Sequence, residues 1–144
     1  HNTLTKEEAE KYDVVNAFTF GPALVIDGET QDLTGRNALW RKQYKTDGYG
    51  YNPEGKEPRA AIGQTGKLSY VLVIAEGRGE SAGATHQELA DFMGSIGCVQ
   101  AFNLDGGNSA EMTFGEQIFK GQPGGSERGL TDIIYFATAV PDGN

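Results

Sequence analysis

Apolar residues alternate with polar ones, or form short unbroken runs, along most of the chain, and both patterns are typical of β-strands. The predicted strands are 14–20, 23–26, 59–64, 68–75, 99–104, 110–114, 117–119 and 130–139. The third and fourth strands flank a Thr-Gly-Lys turn, so we expect them to pair as a hairpin.

Two helices are predicted from capping boxes, in which a threonine is followed three residues later by a glutamate. The first box begins at Thr5 and predicts a helix through about Tyr12. The second begins at Thr85, and its Glu88 is assigned mainly to the cap. The apolar positions of the second helix recur at helical spacing, which predicts core packing, and Gly97 is its expected C-cap. Those apolar positions are Leu89, Phe92, Met93 and Ile96.

These elements predict an α+β fold, a mixed, largely antiparallel sheet packed by two short helices, in one domain spanning residues 1–144. The segment 31–57 is polar and glycine-rich and is expected to be a long loop. Its Tyr49 and Tyr51 could stack on a sugar face, although tyrosines in loops more often serve ordinary surface packing.

Composition narrows the possible functions. With 21 glycines and 5 prolines among 144 residues, the chain is expected to contain many tight turns. The net charge of −8 disfavours nucleic acid and anionic membranes as partners, and no apolar run is long enough for membrane insertion. The single cysteine, Cys98, excludes an internal disulfide and is interpreted as a small buried hydrophobe, while His1 and His86 carry no further signal.

Three strings could carry chemistry. Asp105 ends a strand and is followed by Gly106 and Gly107, whose backbone N–H groups could approach a ligand, although the same string could be a plain hairpin turn. Arg78 lies between two glycines at another strand end, where a phosphate contact competes with a solvated surface arginine. Arg59 enters an apolar strand, so its guanidinium is expected to have an anionic partner, in the protein or in a ligand.

Taken in order, five strings resemble the phosphodiester glycosidase family, which includes the enzyme that removes N-acetylglucosamine from mannose-6-phosphate markers. They are Phe20 to Val25 with Asp27-Gly28; Pro58 to Gln64; Gly77-Arg78; Gly83-Ala84-Thr85 with Glu88-Leu89-Ala90 and Met93; and Asn103 to Ser109. The resemblance runs from about Val14 to Ala137.

The resemblance implies a hydrolase that cleaves the glycosidic bond of a sugar-1-phosphodiester, such as N-acetylglucosamine-1-phosphate linked to another sugar. It implies a bacterial, extracellular or envelope location and a carbohydrate or sugar-phosphate substrate. Asp105 would act on water or on the developing oxocarbenium ion, and Arg59 and Arg78 would neutralise the phosphate. The expected substrate-binding residues are Asn103, Gly106, Gly107, Asn108, Ser109, Thr85 and Arg128. No cofactor is expected and no transition-metal site is predicted at Asp105, with calcium left open.

The sequence departs from the family pattern in two ways. An Asn-Gly-Gly-aromatic-Phe motif usual in the family does not precede Asn16, so the chain resembles the C-terminal part of the domain, and the missing N-terminal segment is a potential partner. Asn108 stands where the family commonly has a third glycine. The alternative functions are a non-catalytic carbohydrate-binding or cell-surface module and a cytosolic domain in which Asp105-Gly106-Gly107 is only a turn. Convergence of Arg59, Arg78 and Asp105 in one pocket would favour the enzyme, whereas a half-open cleft would favour the module.

Overall fold

A computed structural model describes residues 4–17, 19–34, 55–121 and 128–137 of the chain. Its helices are α1 (Lys6–Lys11) and α2 (His86–Ser95), with one 3-10 turn at Gly107–Ser109. Its strands are β1 (Ala23–Ile26), β2 (Glu29–Thr30), β3 (Arg59–Gly66), β4 (Ser69–Ala75), β5 (Gln100–Asn103), β6 (Met112–Phe114) and β7 (Gln117–Lys120). Within these ranges no helix is long and apolar enough to cross a membrane.

The main sheet has five strands in the order β2-β1-β5-β3-β4, and each of these pairings is antiparallel. Strands β6 and β7 form a separate hairpin. The predicted hairpin of β3 and β4 is confirmed, with Ile62 opposite Leu72. The α+β fold class is therefore confirmed, with an antiparallel main sheet and a small second sheet.

Helix α2 packs on one face of the sheet and forms the core with it. Gly63 of β3 allows this close approach, because a Cβ there would lie 2.5 Å from Cys98 Sγ and 2.6 Å from Met93 Cε. Cys98 is buried, as predicted, and burial raises the pKa of its thiol. The core residues are Leu24, Val25, Ala61, Leu89, Ala90, Met93, Cys98 and Ala101.

Both predicted capping boxes are present, but only two of the four apolar residues of α2 that were predicted to pack in the core do so. Leu89 and Met93 are buried, whereas Phe92 and Ile96 are 48% and 38% exposed. The buried positions are His86, Leu89, Ala90 and Met93. They have the predicted helical spacing, but the series begins at His86, directly after the N-cap, and not at Leu89. Ile96 is the C-cap, and Gly97 follows it with a left-handed φ of 82°.

The other face of the sheet is also apolar. The register places Ile62 opposite Phe102 and Gln64 opposite Tyr70, on the face away from α2. These residues line an open groove of about 360 Å³. Phe136 stacks on Tyr70, on the edge strand of this sheet, with ring centroids 6.3 Å apart.

Two strand predictions were wrong for the residues that the structure describes. Residues 14–17 and 19–20 do not form a strand, and neither do residues 130–137. Alternation of apolar residues makes a strand only where a neighbour supplies backbone hydrogen bonds, and Val15 and Ile133 remain 86% and 76% exposed. Of the predicted loop 31–57, residues 35–54 with Tyr49 and Tyr51 lie outside the described ranges, as does His1.

Candidate active site

Four loops meet around the backbone of Glu57 and Pro58, and we call this place the Pro58 junction: residues 55–58, 76–79, 83–85 and 104–109. Glu57 and Ala84 exchange two backbone hydrogen bonds, at 3.2 and 3.0 Å. The N–H of Gly107 donates to Pro58 O at 2.9 Å. The loop after β5 is thereby fixed against the residues that precede β3.

Three glycines make this close approach possible. A Cβ at Gly83 would lie 2.6 Å from the Glu57 carbonyl carbon, and one at Gly106 would lie 2.6 Å from Pro58 O. A Cβ at Gly77 would lie 2.9 Å from Pro58 N. Since real Cβ atoms do not approach backbone this closely, any other residue at these positions would separate the loops. The glycines beside Arg78 and Asp105 therefore bring two predicted site residues into one junction.

Arg78 lies at the centre of the junction with its guanidinium held from two sides. Its Nε donates to Glu57 Oε2 and its Nη1 donates to Asn108 Oδ1, each at 2.7 Å. Its Nη2 lies beside Gly107, 3.3 Å from the position of a Cβ there, and donates to no residue that the structure describes. Arg78 also has a φ of 59°, a left-handed conformation that is strained for a residue with a side chain and that clusters at functional sites.

Asp105 and Arg128 approach each other beside a small cavity. Arg128 Nη1 lies 3.8 Å from Asp105 Oδ2, and both side chains are partly exposed. The cavity, of about 190 Å³, is lined by Asn108, Ser109, Glu111, Arg128 and Leu130. The Ser109 hydroxyl is shielded from solvent and has no hydrogen-bond partner among the described residues. An unpaired buried hydroxyl is costly unless something bonds to it, so this group is suited to a polar ligand.

Asn103 lies deeper than the predicted ligand contacts. It is 1% exposed, and its Nδ2 donates to Gly21 O and Leu104 O at 2.8 and 2.9 Å. Because β5 ends at Asn103, the alternation of a strand does not extend to Asp105, and the strand therefore does not place these two side chains on one face.

Arg59 is held differently from Arg78. Its side chain is buried, with Nε donating to Ala84 O at 3.0 Å and Nη2 donating to Gly55 O at 2.9 Å. Its Nη1 lies 3.2 Å from Nε2 of the buried His86, which must accept this bond because a guanidinium can only donate. Arg59 is thus bound into the protein at the edge of the junction, and a contact between Arg59 and phosphate stays a prediction.

Thr85 and Glu88 form the N-terminal cap of α2. The Thr85 hydroxyl accepts a bond from the Glu88 N–H at 3.0 Å, and the Glu88 carboxylate accepts one from the Thr85 N–H at 2.8 Å. Lys56 donates to the same carboxylate at 2.7 Å. This hydrogen bond, with the one from the Thr85 backbone, lowers the pKa of Glu88 to about 2. The contacts of Glu88 match its predicted role as a cap, while substrate binding by Thr85 stays a prediction.

Two carboxylates of this region were not singled out by sequence reasoning. Glu57 binds Arg78, and Glu111 lines the cavity. Each lies next to or near a recognisable string, Glu57 directly before Pro58 and Glu111 two residues after Ser109, but neither residue type at these places signals a role. No group of three or more His, Cys, Asp or Glu side chains that could hold a metal ion occurs among the described residues.

Chemically, the junction offers the Arg78 guanidinium, bonded to Asn108, and the Asp105 carboxylate in the same loop, while Arg128, which lines the polar cavity, lies 3.8 Å from that carboxylate. Cations placed in this way suit a singly charged phosphate group, and a neighbouring carboxylate suits proton abstraction from water. A hairpin turn with no cavity beside it would not produce this arrangement.

Comparison with known proteins gives the class. A family model described as phosphodiester glycosidase matches residues 1–137 of the chain. The chain therefore belongs to the phosphodiester glycosidase family.

Individual relatives leave the activity open. An SPbeta prophage-derived uncharacterized protein, YomE, of Bacillus subtilis (strain 168) is 30% identical over 120 residues, which is 83% of this chain and 17% of that protein. A hypothetical protein from Synechocystis, known from a crystal structure, has 26% sequence identity and a TM-score of 0.50, with 72% of this chain and 18% of that chain covered. The chain thus spans less than a fifth of the length of either relative.

Proposed function

We propose that the chain hydrolyses the glycosidic bond of a sugar-1-phosphodiester, such as N-acetylglucosamine-1-phosphate linked to another sugar, on envelope or extracellular glycans. Family membership supports a glycosidase-like hydrolase. The observation that carries the proposal to this site is the Arg78 guanidinium, bonded to Asn108 in the same turn as Asp105 and left with a free Nη2 group among the described residues.

In the proposed reaction, a water oxygen bonds to the anomeric carbon while the bond from that carbon to the phosphate oxygen breaks. The electron pair of the broken bond leaves with the phosphate, which becomes a phosphomonoester, and Asp105 accepts a proton from the water. Because phosphate is a good leaving group, it needs less protonation than the alcohol released by an ordinary glycosidase. A single carboxylate together with cationic groups could therefore be sufficient.

The remaining residues bind the substrate in this proposal. Arg78 and Arg128 neutralise the phosphate, and the Ser109 hydroxyl and the Asn108 amide donate to phosphate or sugar oxygens. Arg59 is less suited to direct contact, because its buried guanidinium already donates to the carbonyls of Gly55 and Ala84.

The test measures release of free sugar from an N-acetylglucosamine-1-phosphodiester by the chain and by its Asp105→Asn and Arg78→Ala variants. We expect Asp105→Asn to lower kcat at least about 100-fold, in keeping with loss of a general base. Glu10→Gln is the control, since Glu10 is also an exposed acidic residue and is paired with Lys6 at 3.7 Å, outside the junction. Unchanged hydrolysis by Asp105→Asn would contradict the proposed mechanism.

A second function, that of a non-catalytic carbohydrate-binding or cell-surface module, is favoured by one observation. Among the described residues the apolar sheet face remains an open groove of about 360 Å³, as expected for a face that a further segment of the protein covers. A module would bind the phosphodiester without releasing sugar, and Arg78→Ala would weaken binding while Asp105→Asn would not.

A further inference from the structure

Glu57 has a contact that neither the family motif nor the proposed reaction explains. Its carboxylate bonds to Nε of Arg78, the edge of the guanidinium opposite to the one that faces Asn108. We propose that Glu57 is a positioning residue, which orients Arg78 for the phosphate of the substrate. This inference rests on the proposed function and adds a residue to it.

The backbone that carries Glu57 is unusually fixed for a residue in a loop. Its N–H and C=O both bond to Ala84, and Gly83 packs directly on its carbonyl group. Two residues further on, Arg59 is buried and bonds to Gly55 on the other side. The backbone of Glu57 is thus held in place on both sides, so less conformational freedom remains to be lost when its side chain bonds to Arg78 than in a mobile loop.

This distinguishes the Glu57–Arg78 pair from an ordinary surface ion pair. Exposed ion pairs contribute little, because two flexible side chains lose entropy when they meet. Here the Arg78 backbone is also held in a strained left-handed conformation, and Asn108 bonds to its Nη1. With Nε and Nη1 both occupied, the plane of the guanidinium is fixed, and Nη2 is held at Gly107. Arg78 therefore needs no reorganisation to receive an anion, which favours binding.

Glu57 could act on Arg78 in a second way, by offsetting its positive charge. The two roles predict opposite results. If Glu57 only offsets charge, its removal would strengthen binding of an anion. If Glu57 orients Arg78, its removal would weaken binding, and glutamine, whose carbonyl oxygen can still accept the Nε–H bond, would restore most of it.

The experiment measures KM and kcat of the chain for an N-acetylglucosamine-1-phosphodiester. We expect Glu57→Ala to raise KM about tenfold with less than a threefold change in kcat, since orientation of Arg78 supports binding in both ground and transition states. Glu57→Gln should return KM to within about threefold of the unchanged chain. In an Arg78→Ala background, Glu57→Ala should have no further effect, because its action passes through Arg78.

Glu10→Ala is the control, because Glu10 makes an exposed ion pair with Lys6 at 3.7 Å that lies outside the junction. Its KM should not change. A lower KM in Glu57→Ala, or an equal loss in the Arg78→Ala background, would overturn the proposal.

A second measurement keeps this test separate from the proposed function. The Nε–H proton of Arg78 should exchange slowly with water in NMR spectra of the unchanged chain and of Glu57→Gln, and rapidly in Glu57→Ala. If the chain neither binds nor cleaves the diester, the proposed function fails, whereas the exchange rates still decide whether Glu57 holds Arg78. Equal rates in all three proteins would overturn the positioning role by themselves.

Discussion

Arg59 and Arg78 occupy similar places in the sequence and different places in the protein. Each follows a turn-forming residue, Pro58 or Gly77, at a strand end, and both are expected from sequence to bind phosphate. Arg59 is 3% exposed and donates to backbone carbonyls, whereas the Arg78 side chain is 47% exposed. Both residues are arginines, but the guanidinium of Arg59 bonds within the protein, whereas Nη2 of Arg78 has no partner among the described residues.

The difference shows which physical property separates a structural arginine from a ligand-binding one. A buried guanidinium must have its donors satisfied within the protein, and moving it to meet a ligand would leave those acceptors unpaired. Arg78 has a strained backbone and an Nη2 group without a partner among the described residues. Arg59 is therefore expected to govern stability and Arg78 to govern binding.

The largest expected effect is that of Arg59→Ala on stability. The change would remove the Arg59 donors from Gly55 O, Ala84 O and Nε2 of His86, of which Ala84 O would keep the N–H of Glu57, and would open a cavity beside the helix start. We expect the free energy of unfolding to fall by about 3 kcal/mol, measured by urea denaturation. Arg78→Ala is the comparison, with an expected loss below about 1 kcal/mol because its ion pair is exposed. Equal losses in the two variants would remove the distinction between the two arginines.

The next largest effect tests whether the backbone of Glu57 is held as firmly as the side chain of Arg59. Gly83→Ala would place a Cβ 2.6 Å from the Glu57 carbonyl, at a residue whose φ is 88°. Overpacking against backbone at a left-handed position should lower the free energy of unfolding by about 2 kcal/mol. Gly79→Ala is the control, since a Cβ there meets nothing within 4 Å, and it should change stability by less than about 0.5 kcal/mol. If Gly83→Ala were as mild as its control, the junction would be loose enough to adapt.

Sequence patterns predicted the local structures whose causes are local. The capping boxes at Thr5 and Thr85 form because the side chain and the N–H group that bond are three residues apart. The hairpin of β3 and β4 likewise depends on a turn and on adjacent strands. The expected strands at 14–20 and 130–139 depended instead on a neighbouring strand, which a pattern within one segment does not specify.

Site residues follow the same division. Asp105-Gly106-Gly107 was recognisable because glycines next to a carboxylate indicate a close backbone approach, and Gly106 does lie against Pro58 O. The partners of Arg59 and the role of Glu57 were not predictable, because both depend on the bridge between Glu57 and Ala84, 27 residues apart in sequence. Arg78 and Arg59 differ in the partners of their guanidinium groups, and those partners come from other parts of the chain.

Ser109→Ala should have a smaller effect on stability and a clear effect on function. Since the buried Ser109 hydroxyl has no partner among the described residues, its removal should change the free energy of unfolding by less than about 1 kcal/mol, or raise it. The kcat/KM for the diester should fall about threefold to tenfold, because a substrate oxygen loses a hydrogen bond.

Ser81→Ala is the control for that change, because the Ser81 hydroxyl bonds to Glu76 O at 2.8 Å and accepts from Gly83 N at 3.2 Å. It should cost about 1 kcal/mol of stability and leave kcat/KM nearly unchanged. The two arginines suggest that a polar group without a partner in the protein serves binding and not stability. This rule would fail if Ser109→Ala lowered stability and left kcat/KM unaltered.

The smallest expected effect concerns the pH dependence of the contact between Lys56 and Glu88, which ties the residue before Glu57 to the start of α2. The hydrogen bond from Lys56, followed by that from the Thr85 backbone, lowers the pKa of Glu88 from 4.5 to about 2. The folded protein thus binds a proton here less readily than the unfolded chain. The stabilisation is fully present above pH 4.5 and is lost as the pH falls toward 2.

An NMR titration of the Glu88 carboxyl carbon measures this pKa directly, and Lys56→Ala should move it back toward 4.5. Lys6→Ala is the control, since Lys6 pairs at 3.7 Å with Glu10 on α1 and should leave Glu88 unaffected. An unchanged Glu88 pKa in Lys56→Ala would mean that the side chains of 55–58 are not held against α2, which would weaken the case for a fixed Glu57 next to them.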